Sequence, residues 1–283
     1  MQGELFEEPE PSSRFDSIGK STVAYRDVKS ILTPASGFVG AYDYTLNPYS
    51  GCTFGCVLLC SVLRPKQGET GWLGQLGYGK ENALRLLSKE PHGSLDGKTI
   101  YMSSVTDPYQ PVEKKLGLTR SLLEWLVAHH APRLVIQTRS PLVTRDIDLI
   151  ARLPASQINM TVTTDSEEVR QIFEPHCPSN TVRLKAIQTI QRAGLNGCIT
   201  LTPLLPISDP HAFAQNLLET GIQKFVVQPF HATRGRFVAG TRNQAIDITR
   251  RMNWNHERYL EVLSILKQYI PDLGEGKEGF KPV

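Results

Sequence analysis

The sequence predicts an α/β fold with parallel strands. Strand-like and helical segments alternate about six times, which implies parallel strands joined by right-handed crossovers. Thr99-Ile-Tyr-Met and Leu134-Val-Ile are near-continuous apolar runs, as expected of strands buried on both faces. No Gly-rich dinucleotide fingerprint follows any strand. Between an open doubly wound sheet and a whole or partial barrel, the pattern favours the barrel, where function collects at the carboxyl ends of the strands.

The elements follow in order. Residues 1–36 carry few periodic apolar residues and read as an extended N-terminal arm. Segments 41–46, 98–104, 133–139, 158–164, 197–201 and 224–230 are rich in β-branched and aromatic residues and read as strands. Between them, 79–88, 113–130, 145–152, 165–173 with 181–193, and 209–220 carry helical patterns, and a last helix covers 255–268. Asp165 with Glu168 resembles a capping box, Pro210 suits a first helical position, and Gly194 reads as a helix stop. The barrel is expected over 37–270, with 271–283 a Gly-rich, charged tail whose Phe280 docks on the body.

The 283 residues are 40% hydrophobic and 21% charged, which excludes a mostly disordered or fibrous chain. No apolar run approaches the ~20 residues that cross a bilayer, and the acidic start, Met1 to Pro11, does not read as a secretory signal. A cytoplasmic protein without membrane contact is expected. The net charge of +3 permits nucleic-acid contact without arguing for it.

Three of the five cysteines, Cys52, Cys56 and Cys60, fall within nine residues. On a helix, Cys52 and Cys60 would stand ~12 Å apart along the axis. Pro48, Gly51 and Gly55 oppose a helix there, whereas a loop can wrap three thiolates around one centre. Thiolate sulfur suits an iron–sulfur cluster, zinc or Cu(I). Structural zinc needs a fourth ligand, which His176 or Cys177 would have to bring from afar. A [4Fe–4S] cluster needs only these three and leaves one iron open to a small molecule. Three buried thiols without metal is the plainest alternative. Cys177 and Cys198 read as ordinary buried or loop thiols.

Further motifs join the cysteine loop: Asn47-Pro-Tyr-Ser-Gly-Cys52, Thr106-Asp-Pro-Tyr-Gln-Pro-Val-Glu113, Thr144-Arg-Asp-Ile-Asp-Leu149, Glu174-Pro-His-Cys-Pro-Ser179, Arg183-Leu-Lys-Ala186 with Ala193-Gly-Leu195, and Pro203-Leu-Leu-Pro206. In this order, over roughly residues 40–230, the chain resembles the radical S-adenosylmethionine (SAM) superfamily and within it the group similar to spore photoproduct lyase.

The resemblance implies a partial (β/α)6 barrel of the TIM type. It implies a [4Fe–4S] cluster on Cys52, Cys56 and Cys60, SAM chelated at the open iron, and reductive cleavage of SAM to a radical that takes hydrogen from an unidentified substrate. An electron donor such as flavodoxin or ferredoxin would be the partner. Ser103, Ser104, Thr106 and Asp107 would hold the methionine amino group, although Asp-Pro and serines also favour turns. Arg139 would pair with the SAM carboxylate, where relatives often carry Lys; the alternative is a surface arginine. Thr163 and Thr164 would lie near the ribose or carboxylate, or simply favour the strand. The family spacing is CxxxCxxC with an aromatic before the third cysteine; here it is CxxxCxxxC, and Leu59 at that place offers no ring to stack on adenine. That departure keeps open a barrel protein with an altered metal site and no radical chemistry. The group resemblance alone raises a DNA photoproduct lyase. The basic stretch 230–236 reads as a solvated loop or as a contact for an anionic substrate.

Overall fold

The computed structural model describes residues 17–18, 21–57, 76–231 and 243–283. The strands are β1 (Ser17–Ile18), β2 (Ser21–Arg26), β3 (Leu32–Pro34), β4 (Tyr44–Leu46), β5 (Tyr49–Ser50), β6 (Leu76–Lys80), β7 (Thr99–Met102), β8 (Arg133–Thr138), β9 (Ala155–Thr161), β10 (Asn196–Leu201), β11 (Lys224–Val227) and β12 (Gly274–Glu275). The helices are α1 (Ala83–Leu87), α2 (Glu113–Leu116), α3 (Leu118–His129), α4 (Ile147–Ile150), α5 (Glu167–Phe173), α6 (Asn180–Arg192), α7 (Pro210–Leu218), α8 (Asn243–Arg251) and α9 (His256–Tyr269).

One sheet of eight strands runs β12-β11-β10-β9-β8-β7-β4-β3. It is parallel from β4 to β12, and β3 turns back antiparallel on β4. The six expected strands are therefore its central six, as the partial barrel requires. Period-two alternation divides their side chains. Ile100, Met102, Leu134, Ile136, Ile158, Met160, Ile199 and Leu201 join the main apolar core with the helices. Tyr101, Gln137, Thr161 and Thr200 form the opposite set and bond one another: Tyr101 Oη donates to Gln137 Oε1 at 2.9 Å, and Gln137 Nε2 donates to Thr161 Oγ1 at 2.6 Å and Thr200 Oγ1 at 3.0 Å.

The two edge strands β3 and β12 do not pair. The tail spans the gap between them. Phe280, buried, meets Phe38 edge to face at 5.0 Å, and Tyr42 Oη donates to Lys281 O at 3.2 Å. Docking of Phe280 was legible in the sequence; the strand β12 before it was not.

Several expected elements take other forms. The arm contributes β2 and β3, which pair with β6 and β4. Segment 79–88 is not one helix: β6 runs to Lys80, and only Ala83–Leu87 is helical. The helix at 113–130 breaks at Gly117, which sits in left-handed conformation (φ 62°), where glycine meets no steric penalty. Segment 145–152 begins as 3-10 turns over Pro141–Asp146, and Ser140 Oγ accepts from Leu142 N. Asp165 does not cap α5. Ser166 does, accepting from Val169 N at 3.3 Å, while Asp165 accepts from Ser208 N and Asp209 N at 2.9 and 2.8 Å. Asp209 caps α7 with Pro210 behind it, and Gly194 (φ 78°) follows α6, both as expected. Helix α8 was not foreseen, because its polar run buries only Ala245 and Thr249. No helix among the described residues is long and apolar enough to cross a membrane.

Candidate functional site

A cavity of about 750 Å³ opens at the carboxyl ends of the parallel strands. Cys52 and Cys56 come to it from the loop after β5, Ser103 and Asp107 from the segment after β7, and Arg139 from the end of β8. Both cysteines are buried, at 7% and 8% exposure. Cys60 and Leu59 lie outside the described residues.

The loop owes its path to its sequence neighbours. Gly51 and Gly55 take positive φ (77° and 57°), which side-chain-bearing residues rarely adopt. The segment after β7 then fastens it. Thr106 Oγ1 donates to Gly51 O at 2.6 Å, and the fully buried Gln110 accepts from Thr53 N at 2.9 Å while Nε2 donates to Gly51 O at 3.3 Å. Val57 N donates to Phe173 O at 2.8 Å, joining the loop to the end of α5. Gln110 was quoted in a motif but not as a functional residue; its role is visible only when the two segments meet.

Asp107, expected to hold an ammonium group, lines the cavity and is also bound locally. Its Oδ1 accepts from Tyr109 N at 2.9 Å and Thr138 Oγ1 at 2.8 Å, and its Oδ2 from Arg139 N at 2.7 Å. Burial pushes its carboxyl pKa up, against the pull of these same hydrogen bonds. The residue clamps the end of β8 to the segment after β7. Thr163 is likewise turned inward, donating to Glu174 Oε1 at 3.3 Å with no exposure of its own, and Thr164 donates to Pro206 O at 2.6 Å.

Ser103, Ser104 and Thr106 line the cavity. Ser103 has φ 75°, and its buried hydroxyl has no hydrogen-bond partner among the described residues. A buried polar group without a partner is costly, so a ligand group at that place is its natural complement. Ser104 Oγ accepts from Asn47 Nδ2 at 3.3 Å, and Thr106 is tied to the cysteine loop. Arg139 reaches the cavity wall, where its Nε donates to the buried Glu174 at 3.0 Å. Burial works against its charge, and Glu174, Cys56 and Cys177 together outweigh that effect.

The other motif residues support this site from behind. Buried Glu113 accepts from Tyr49 Oη, Thr119 N, Arg120 N and Arg145 Nη2, and Arg145 also holds Asp146 at 2.7 Å. The buried carboxylates and the part-exposed arginines satisfy one another. Cys198 is a buried strand thiol whose pKa burial pushes up to about 12, in line with its reading as an ordinary thiol. Cys177 is buried as expected, yet its Sγ lies 3.6 Å from Cys56 Sγ. Of the basic stretch, Phe230 and His231 line the cavity, and 232–236 lie outside the described residues.

The donor set fits an iron–sulfur cluster with SAM. Soft thiols and an orphaned hydroxyl share one cavity with a guanidinium, and no three described His, Cys, Asp or Glu side chains stand close enough to enclose a single metal ion. A closed zinc cage is therefore not found among the described residues.

Comparison with known proteins agrees with this class of site. The family model of the radical SAM superfamily matches residues 46–217. The chain belongs to that superfamily. It is 33% identical over 163 residues to an uncharacterized protein of Methanocaldococcus jannaschii, covering 58% of this chain and 61% of the other. It is 28% identical over 215 residues to an uncharacterized protein of Mycobacterium tuberculosis, covering 70% of this chain and 62% of the other. The matches thus span about three fifths of the length of these relatives. Among solved structures, a cysteine mutant of spore photoproduct lyase superposes with TM-score 0.59 at 14% identity over 90% of this chain and 82% of that one. A second cysteine mutant, with dinucleoside spore photoproduct, gives TM-score 0.58 at 15% identity with the same coverage. At such identity the likeness shows a shared fold.

Proposed function

We propose that the protein is a radical SAM enzyme whose cluster is held by Cys52, Cys56 and Cys60. The observation that carries this reading is the meeting of two buried loop thiols, the free Ser103 hydroxyl and the Arg139 guanidinium at one cavity. When bound, the [4Fe–4S] cluster and SAM supply one-electron cleavage chemistry that ends in removal of a hydrogen atom from a substrate. The chain's own residues orient and shield. Ser103, with Ser104 and Thr106, accepts hydrogen bonds from the SAM amino group. Arg139 pairs with the SAM carboxylate. Asp107 and Thr163 act behind them, Asp107 on the Arg139 backbone and Thr163 on Glu174. The polar set Tyr101, Gln137 and Thr161 floors the cavity where a substrate would sit.

The reading includes a reducing, cytoplasmic setting, in which free thiols persist, and an electron donor of the flavodoxin or ferredoxin class. The test is anaerobic reconstitution with iron and sulfide, followed by reduction with dithionite in the presence of SAM. Release of 5′-deoxyadenosine is expected. A full cluster that leaves SAM intact would refute the radical chemistry and favour the altered metal site. DNA photoproduct reversal is a narrower assay on the same preparation.

A further inference from the structure

Glu174 is fully buried, and its carboxylate stands between two guanidinium groups. Its Oε2 lies 2.6 Å from Arg183 Nη2, and its Oε1 accepts from Arg139 Nε at 3.0 Å and from the Thr163 hydroxyl at 3.3 Å. The two arginines differ in what else they do. Arg183 is fully buried; its Nε donates to Pro178 O at 2.9 Å and its Nη1 to Thr161 O at 3.1 Å. Each of its nitrogens has an acceptor beside it. Arg139 engages only Nε of its side chain. That side chain is 23% exposed, and its two terminal nitrogens have no hydrogen-bond partner among the described residues.

One carboxylate, Glu174, is shared by two guanidiniums, and of the two only Arg139 reaches the cavity. A guanidinium held by Nε keeps its terminal pair as a flat fork that matches a carboxylate. A buried carboxylate is costly unless paired, so its place here is explained by what it fixes.

We propose that Glu174 is a positioning residue: it grips Arg139 by Nε so that the two terminal nitrogens face the carboxylate of bound SAM. This rests on the functional reading above. The nearby Thr163 hydroxyl and Arg183 hold Glu174 in turn, which makes the whole assembly a support for one side chain.

The test measures anaerobic equilibrium binding of two probes to the reconstituted protein: SAM, and a SAM analogue lacking the carboxylate. Glu174→Gln keeps size and an acceptor oxygen but removes the charge. Its affinity for SAM is expected to fall roughly ten- to hundredfold, with affinity for the analogue and iron content unchanged. Adding Glu174→Gln to Arg139→Ala should cost nothing further, because the two act as one unit. Glu174→Asp, which keeps the charge against Arg183, serves as a second variant if the first folds poorly and should show a loss of the same selective kind. Undiminished SAM binding in Glu174→Gln, or equal loss for both probes, overturns the proposal. Wild-type protein that carries a cluster yet binds neither probe overturns the functional reading instead.

Discussion

The sulfurs of Cys56 and Cys177 lie 3.6 Å apart, although 121 positions separate them in the chain. One belongs to the cysteine loop and the other to the turn between α5 and α6. In the cluster-free protein, two thiols at this distance need only a small shift to bond. Treatment with glutathione disulfide should join them by thiol–disulfide exchange, each linkage releasing two glutathione thiols. Peptide mapping under non-reducing conditions is expected to find the 56–177 crosslink, lost in Cys177→Ser, and iron uptake by the oxidised protein should require prior thiol reduction. Absence of the crosslinked peptide would contradict this.

Gln110 fastens the cysteine loop through Thr53 and Gly51. Gln110→Ala should lower global stability by about 1–3 kcal/mol, since it strands a buried donor. The larger effect is expected locally: faster loss of iron to a chelator. Unchanged iron retention would show that the loop holds itself.

Glu174 also bears on stability. Burial raises its carboxyl pKa, but the charges of Arg183 and Arg139 outweigh this and hold it below the ordinary value of 4.5. Its contribution is therefore full above about pH 4.5 and is lost as pH falls through the lower folded-state value. Glu174→Ala should cost about 3–5 kcal/mol at neutral pH, because it leaves the fully buried Arg183 unpaired. Denaturation curves should show the gap from wild type narrowing as acid protonates the wild-type carboxyl. A gap that widens in acid would reverse the sign.

Gly279 admits no side chain. A Cβ there would stand 2.5 Å from Val226 Cγ1 and 2.8 Å from Cγ2, and a β-branched neighbour on a strand yields little. Gly279→Ala should destabilise by about 1–3 kcal/mol and make the segment after β12 more sensitive to proteolysis. Wild-type cleavage rates in the variant would mean that the tail shifts without detaching.

The central strands were legible because Thr99-Ile-Tyr-Met and Leu134-Val-Ile combine β-branched and aromatic content with burial on both faces, a local signal. The meeting of Cys52 and Cys56 at one cavity was legible because the glycines between and before them favour a loop over a helix. What escaped depends on distant partners. Glu174 opens a recognisable motif, but only the fold brings it to Arg139. Cys177 looked like an isolated thiol until α5 carried it to Cys56. Asp165 and Ser166 both suit a cap, and the competing amides of Ser208 and Asp209 decide between them. The hydrogen bonds of Asp107 to Thr138 and Arg139 were equally hidden, since they join two strand ends.

The contact of Phe38 with Phe280 joins residues from opposite ends of the chain across an unpaired seam of the sheet. Replacing the Phe280 ring by a small side chain would thus do more than loosen the tail: it would unseal one side of the cavity that both rings line. Solvent would then reach the interior of the cavity from that side. Protection of the backbone amides around the cavity from hydrogen exchange should accordingly depend on an aromatic ring far in sequence from the cysteine loop.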